Sequence, residues 1–306
     1  MFDITCSIVV YHSPLEDLQK AIDSFLGLEG NIRLFIVDNS GNDHLRFALR
    51  HPNVEYIFPG KNLGYGKAHN LAIRKILGRS KYHLVLNPDV EFNPEILHSL
   101  FQFMEQRPSI GLVMPKVLYR NGEMQHLCKM LPAPFDLFLR RFLPGPLKRL
   151  FQAKLDRYEM KHVDYNKTMQ IPNLSGCFMF LRTEALEQLG AFDERYFMYM
   201  EDTDLCRRIN AYYQTIYYPV VSIVHGYSKA SYKSFRLLRH HLTSSIRYFN
   251  KWGWFTDRHR ARINTSAMAL QYPPKLSLLT RDTINDNVAK GAVIRSLDRG
   301  RMIPSV

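Results

Sequence analysis

The sequence predicts an α/β fold with a central, mostly parallel sheet flanked by helices, and three observations carry that expectation. Short apolar runs alternate with helix-like stretches through the first half; polar residues cluster directly after those runs; and beyond Ser234 the pattern becomes helical and basic. Strand, helix and strand in repetition imply a parallel sheet covered on both faces. Such sheets bind ligands at the carboxyl ends of their strands, which is where the polar clusters fall.

Strands are predicted over Ile4 to Tyr11, Arg33 to Asp38, Val54 to Phe58 and His83 to Asn87, each an apolar or β-branched run of strand length. Between the first two, Leu15, Leu18, Ile22, Phe25 and Leu26 recur at helical spacing behind the helix start Ser13-Pro14. From Lys129 to Lys167 the alternation stops, and a Pro- and aromatic-rich insertion carries nine Lys/Arg against four Asp/Glu, a net +5. A last strand block is predicted over Asn173 to Arg182, followed by the acidic stretch YMEDTDLCRR and by VVSIVHG, which ends at His225 and Gly226. Phe235, Leu238, Leu242, Ile246 and Phe249 then share one helical face, with Arg236, Arg239, His240, Arg247 and Lys251 beside it. After about Ala269 the sequence turns polar, so residues 269–306 are expected to form a flexible tail.

At 306 residues and 46% hydrophobic, the chain has the apolar material for a substantial core. Lys+Arg 41 against Asp+Glu 28 gives +13, which implies an anionic partner: a nucleic acid, a nucleotide or the acidic surface of a membrane. No helix-turn-helix, zinc spacing or RNA-recognition motif accompanies the charge, which argues against nucleic acid. Cys6, Cys128, Cys177 and Cys206 are scattered, with no C-x-x-C pair, as expected of buried thiols in a reducing cytosol. The start, MFDITCSIVVYH, lacks a basic n-region, and no apolar run approaches the ~18 residues that span a bilayer, so cytoplasmic residence is expected.

Four groups of residues have the chemistry of a site. KNLGYGKAHN, Lys61 to Asn70, holds Gly64-x-Gly66, where backbone can approach a phosphate; the third glycine of the dinucleotide pattern is replaced by His69, and an ordinary turn before a helix is the plainer alternative. Asn87-Pro88-Asp89 ends a strand with a carboxylate placed to hold Mg²⁺ or Mn²⁺, or simply forms a polar turn. Glu201-Asp202-x-Asp204 sets three carboxylates at a helix start, where the free N–H groups favour negative charge. Asp204 and Arg208 are spaced as a helix ion pair, which leaves Glu201 and Asp202 to be explained. His225, after the last strand, suits a metal ligand or a structural histidine.

In sequence order, SIVVYHSP, IVDNS, KNLGYGKAHN, LNPDV, LSGCFMFLR, GAFDERYFMYMEDTDLCRR and IVHG resemble the family 2 glycosyltransferases of the GT-A fold, and within them the rhamnosyltransferase-like members that build bacterial surface polysaccharides. The resemblance covers roughly Thr5 to Trp254. It implies a GT-A domain over 1–228 containing the 129–167 insertion, then an amphipathic helical region over 229–268. It implies that Val10, Tyr11, His12 and Asp38 meet the nucleoside, that Asn62, Gly66 and Asn70 lie along the diphosphate, and that Gly176 and Cys177 lie against donor sugar and acceptor. Asp89 matches the last carboxylate of the family's D-x-D, with Asn87 in place of the first, and it would hold Mg²⁺ or Mn²⁺ together with His225. Asp202 corresponds to the catalytic base, with Glu201 beside it turned toward the acceptor. The activity implied is inverting transfer of a sugar, L-rhamnose from dTDP-rhamnose, to a saccharide acceptor that is lipid-linked. Such an enzyme would rest on the inner face of the plasma membrane, its basic stretches on anionic lipid. A hexosyltransferase using a UDP- or GDP-sugar, or a non-catalytic sugar-nucleotide binder, are the alternatives.

Overall fold

The computed structural model describes residues 1–46, 49–142, 149–226 and 235–271. One compact unit runs Met1–Ala267, and of a second, Met268–Val306, only the start is described. The expected tail over 269–306 therefore lies almost wholly outside the described residues, as do 143–148 of the insertion and the boundary at 228.

β1 (Phe2–Val10) is the axis of the parallel half. It pairs with β2 (Ile32–Asp38) on one side and with β4 (Ser80–Leu86) on the other, and β3 (Val54–Ile57) lies outside β2. Ile8, Leu34, Ile36, Leu84 and Leu86 are all 0% exposed, because helices cover both faces. α1 (Leu15–Leu26) buries Leu18, Ala21 and Phe25, and α2 (Tyr65–Ile76) sets Ala68 against Val9 and Val37. Beneath α2 the side chains of Ser7 and Thr5 link two buried imidazoles: Ser7 Oγ lies 2.7 Å from His69 Nδ1 and 2.9 Å from His83 Nε2. Burial pushes His83 down to about 3 and His69 well below its ordinary value, so both are neutral hydrogen-bonding core residues.

The other half of the nine-stranded sheet is mixed. β8 (Phe178–Arg182) runs antiparallel between β4 and β6 (Ile110–Leu118), β6 pairs in parallel with β9 (Gln214–His225), and the short β5 (Val90–Glu91) and β7 (Met169–Gln170) each oppose β9. β1 to β4, β6 and β9 thus share one direction. Pro115 pairs with Tyr218 and Lys116 with Ser222, leaving Pro219, Val220 and Val221 in a bulge. A bulge bends its strand, and here the bend carries the end of β9 to β5, where His225 pairs with Val90.

The helices after β4 are α3 (Glu95–Glu105), α4 (Pro134–Phe142), α5 (Gln152–Tyr158), α6 (Thr183–Leu189), α7 (Glu201–Ile209), α8 (Phe235–Trp252) and α9 (Arg258–Gln271). The insertion holds α4 and α5 and is anchored by Met130 N–H to Tyr158 O (2.9 Å) and Leu131 N–H to Asn264 Oδ1 (2.9 Å). All four cysteines are buried and unpaired.

One expectation is corrected. Only Phe178–Arg182 of the block Asn173 to Arg182 is strand; the preceding residues form a loop whose Gly176 N–H donates to Asp202. On α8 the face defined by Phe235, Leu242 and Ile246 is exposed (83%, 39% and 49%), while Ser244, Ser245, Tyr248 and Phe249 are buried. The small serines let the helix approach the loop before α7, where Ser244 Oγ donates to Met198 O at 2.8 Å.

Candidate functional site

A cleft of ≈ 860 Å³ opens over the carboxyl ends of β1 and β4. Tyr11, His12, Asn62, Tyr65, Asn87 and Asp89 all line it. His12 holds a left-handed backbone (φ 51°), with its N–H on Ser40 Oγ at 3.1 Å.

Asp89 and His225 meet because the turn after β4 and the end of β9 are tied together: Gly226 N–H donates to Asp89 O at 2.8 Å. His225 Nε2 is 3.4 Å from Asp89 Oδ1 and 3.4 Å from Asn87 Nδ2. Its Nδ1 lies 3.0 Å from Gln125 Oε1, and Gln125 Nε2 donates to His225 O at 2.9 Å. An Nδ1–H donated to Gln125 leaves the Nε2 lone pair facing Asp89, the arrangement of a metal-ligating imidazole fixed by an outer partner. Asn87 turns its amide nitrogen to this position and its oxygen to Tyr65, so one carboxylate and one imidazole can hold a divalent cation only in company with ligand oxygens, and no group of three His, Cys, Asp or Glu side chains suited to a metal occurs among the described residues. The sequence gives no local signal for Gln125; it stands after the Asn121-Gly122 turn, a hundred residues from its partner.

Across the cleft floor, Tyr65 joins this site to the acidic cluster. Its hydroxyl donates to Gly176 O at 2.6 Å and lies 3.2 Å from Asn87 Oδ1. Burial, and then the charges of Glu201, Cys177, Asp202 and Asp89, hold the phenol well above its ordinary value, so it remains a donor. Asp202 is oriented by two backbone donors, Gly176 N–H to Oδ2 at 3.1 Å and Thr203 N–H to Oδ1 at 2.7 Å. Tyr199 and Met200, just before it, both have left-handed φ (69° and 68°). Such strain costs of order 1–3 kcal/mol per residue and persists only where surroundings impose it.

α8 and the segment between it and α9 supply the surroundings. Phe197 stacks on His240 (4.5 Å), Ser244 holds Met198, and Trp252 Nε1–H donates to Asp204 at 2.7 Å. Arg207, one turn beyond Asp202 and buried, makes a bidentate pair with Asp257 at 2.6 and 2.7 Å. Neither Arg207 nor Asp257 was singled out by the sequence, since nothing local links them.

Several expected site residues sit elsewhere. Val10 is 0% exposed and its carbonyl is taken by Asn39 N–H, while Asp38 is 1% exposed with both oxygens accepting, from Tyr56 OH (2.6 Å) and Ser40 N–H (2.9 Å). The neighbour Asn39 faces the cleft instead. Gly66 packs against protein: an added Cβ would lie 2.8 Å from Phe192 Cβ. Asn70 is likewise consumed, donating to Phe192 O (2.8 Å) and accepting from Phe192 N–H (3.0 Å). The glycines and Asn70 thus dock α2 onto the loop before α7. Gly64 shows it most sharply, since at φ 82° its Cβ would fall 2.1 Å from Phe197 O. Asn62 lines the cleft and caps this turn, its Oδ1 accepting from Gly64 N–H at 2.9 Å. Cys177 is buried with its thiol pushed up to about 12 by desolvation, and its carbonyl accepts from Asn87 N–H at 2.9 Å. Glu201 turns inward, 5% exposed, with Oε2 unpartnered; burial and the charge of Asp202 push it up to about 8.

Residues 5–190 match the Glycosyl transferase family 2 profile. The chain belongs to that family. As a family 2 glycosyltransferase it is 28% identical over 280 residues to an N-acetylglucosaminyl-diphospho-decaprenol L-rhamnosyltransferase of Mycobacterium tuberculosis (strain CDC 1551 / Oshkosh), covering 85% of this chain and 86% of that one. It is 24% identical over 267 residues to the rhamnosyltransferase WbbL of Escherichia coli (strain K12), with 84% and 97% covered. Its fold is also that of a crystal structure of GalNAc-T7 with UDP, GalNAc and Mn²⁺ (TM-score 0.58, 13% identity, 82% of this chain). The transferase spans about half, 48%, of the GalNAc-T7 chain.

Proposed function

We propose that this glycosyltransferase is an inverting rhamnosyltransferase, moving L-rhamnose from dTDP-rhamnose to a lipid-linked saccharide in the synthesis of a cell-surface polysaccharide. The observation that carries the proposal is a cation-type pair, Asp89 in the cleft with His225 behind it, joined through the cleft residue Tyr65 and through Gly176 to a single oriented carboxylate, Asp202. The two rhamnosyltransferase relatives supply the sugar, and the mycobacterial name supplies the lipid diphosphate acceptor.

In the step proposed, the acceptor hydroxyl oxygen attacks the anomeric carbon from the side opposite the diphosphate. The new C–O bond forms as the bond to the diphosphate oxygen breaks, the bonding pair leaves with that oxygen, and Asp202 takes the hydroxyl proton. Configuration inverts because one displacement occurs. Glu201, buried and holding its own proton, leaves the adjacent pair with one charge, on Asp202. Asp89 and His225 would hold Mg²⁺ or Mn²⁺, which when bound supplies positive charge to the leaving diphosphate. Gln125 keeps the imidazole turned to that position.

No helix among the described residues is long and apolar enough to cross a membrane. The exposed Phe235, Leu242 and Ile246 on α8, with Arg236, Arg239 and Arg247 exposed beside them, match the surface of an anionic cytoplasmic leaflet. Co-sedimentation with vesicles containing phosphatidylglycerol, lost in Leu242→Asp/Ile246→Asp, checks that placement.

The reaction is tested by thermal stabilisation of wild type and Asp89→Ala with dTDP-rhamnose and several UDP- and GDP-sugars, with and without Mg²⁺. A metal-dependent shift with dTDP-rhamnose, absent from the variant, supports the assignment. A shift only with a UDP- or GDP-sugar replaces the donor, and none with any sugar nucleotide overturns the transferase mechanism proposed.

A further inference from the structure

Arg120 stands outside every motif considered so far. It begins the tight turn after β6, where Tyr119 N–H donates to Glu123 O at 2.7 Å and Gly122 takes φ 85°. The same turn delivers Gln125 to His225. The guanidinium lies over Gly226, the residue tied to Asp89, so closely that a Cβ on Gly226 would come within 2.8 Å of Nη2 and 3.1 Å of Cζ. Arg120 lines the cleft beside Asp89 and is held from the opposite wall by Asp17, which pairs with Nη2. A guanidinium carries five N–H donors in a fixed fork, and Asp17 engages one of its nitrogens, Nη2.

Resting on the sugar-nucleotide reading above, we propose that Arg120 is a diphosphate-binding residue of this site, supplying directly to the leaving group the positive charge that Asn87, an amide in place of a carboxylate, leaves a bound cation less able to supply. Three features converge on it. Asn87 leaves Asp89 and His225 as the charged and imidazole ligands, which lowers the affinity of the position for a cation. A planar fork next to that position can take two phosphate oxygens at once. Asp17 aims the fork across the cleft without enclosing it, since the Arg120 side chain is 59% exposed. As the anomeric C–O bond breaks, the electron pair settles on the diphosphate oxygen; Arg120 stabilises that charge through N–H donors and transfers no proton.

The test measures dTDP binding by calorimetry to wild type, Arg120→Ala, Arg120→Lys and Gly226→Ala, each in EDTA and in Mg²⁺, with thermal unfolding as the control for folding. In EDTA, Arg120→Ala is expected to weaken dTDP about tenfold or more, the range of a charge-assisted contact. Arg120→Lys keeps the charge without the fork and recovers part of the loss. Gly226→Ala, which pushes the guanidinium aside, falls with Arg120→Ala. Equal affinity of wild type and Arg120→Ala in EDTA overturns the role of Arg120 while leaving the sugar-nucleotide reading intact. No dTDP, UDP or GDP binding by folded wild type under either condition overturns both.

Discussion

Asp89 lines the cleft and Asp202 is joined to it through Gly176 and Tyr65, yet the chain holds the two carboxylates by different means. Asp89 follows a buried strand, three residues past Leu86, and its turn is pinned by backbone pairing of β5 with β9 and of Gly226 N–H with Asp89 O. Asp202 opens a helix entered through two left-handed residues, and its loop is fixed by side chains from α2, α8 and the segment before α9. The Asp89 turn takes its support from backbone pairing within the sheet. The Asp202 loop instead takes its support from side chains of distant sequence, which impose its left-handed residues. The two carboxylates should therefore respond differently to mutation.

The largest expected effect is Asp202→Asn, which should lower kcat roughly 10³-fold while leaving dTDP binding in place, measured by turnover and calorimetry side by side. Equal loss of both would erase the division between the two positions. Next, Asp257→Ala leaves Arg207 buried without its partner and is expected to cost about 3–5 kcal/mol in denaturant unfolding. Arg207→Met with Asp257→Leu should recover most of that stability, and if the brace also sets the loop, kcat stays low in the double variant while dTDP affinity recovers.

On the Asp89 side, Gln125→Ala should weaken Mn²⁺ binding to the nucleotide-loaded enzyme about tenfold, by releasing the imidazole, with little change in stability. The smallest effect concerns Glu201. Its folded value, near 8, is above the ordinary 4.5, so the unfolded chain binds fewer protons between those values and wild-type stability falls as pH rises through that window. Glu201→Gln should remove this decline and melt a few degrees above wild type near pH 8, with no difference near pH 4. A constant offset at every pH would mean that Glu201 is not the group responsible.

How much of this was legible in the sequence follows the same division. The strands over Arg33 to Asp38 and His83 to Asn87 were readable, since apolar runs are local signals, and Asn87, Asp89 and His225, picked out at strand ends, do come together. β6 was missed because Pro115 breaks its run, and the bulge that tolerates it appears only when β9 is alongside. Gly66 and Asn70 look like phosphate ligands in one dimension, and only the fold shows both packed against Phe192. The apolar stripe of α8 was visible but not its orientation, because Ser244 and Ser245, unremarkable in sequence, are what pack.

The bidentate pair between Arg207 and Asp257 joins residues 50 positions apart, with the later partner beyond α8. During synthesis the Asp89 turn gains its partners, His225 and Gly226, before the loop carrying Asp202 gains the brace that Asp257 completes. A nascent chain, or one truncated ahead of Asp257, would hold a nucleotide pocket without a competent base. Catalysis would thus switch on late in translation, after the helix with the exposed apolar and basic stripe has left the ribosome.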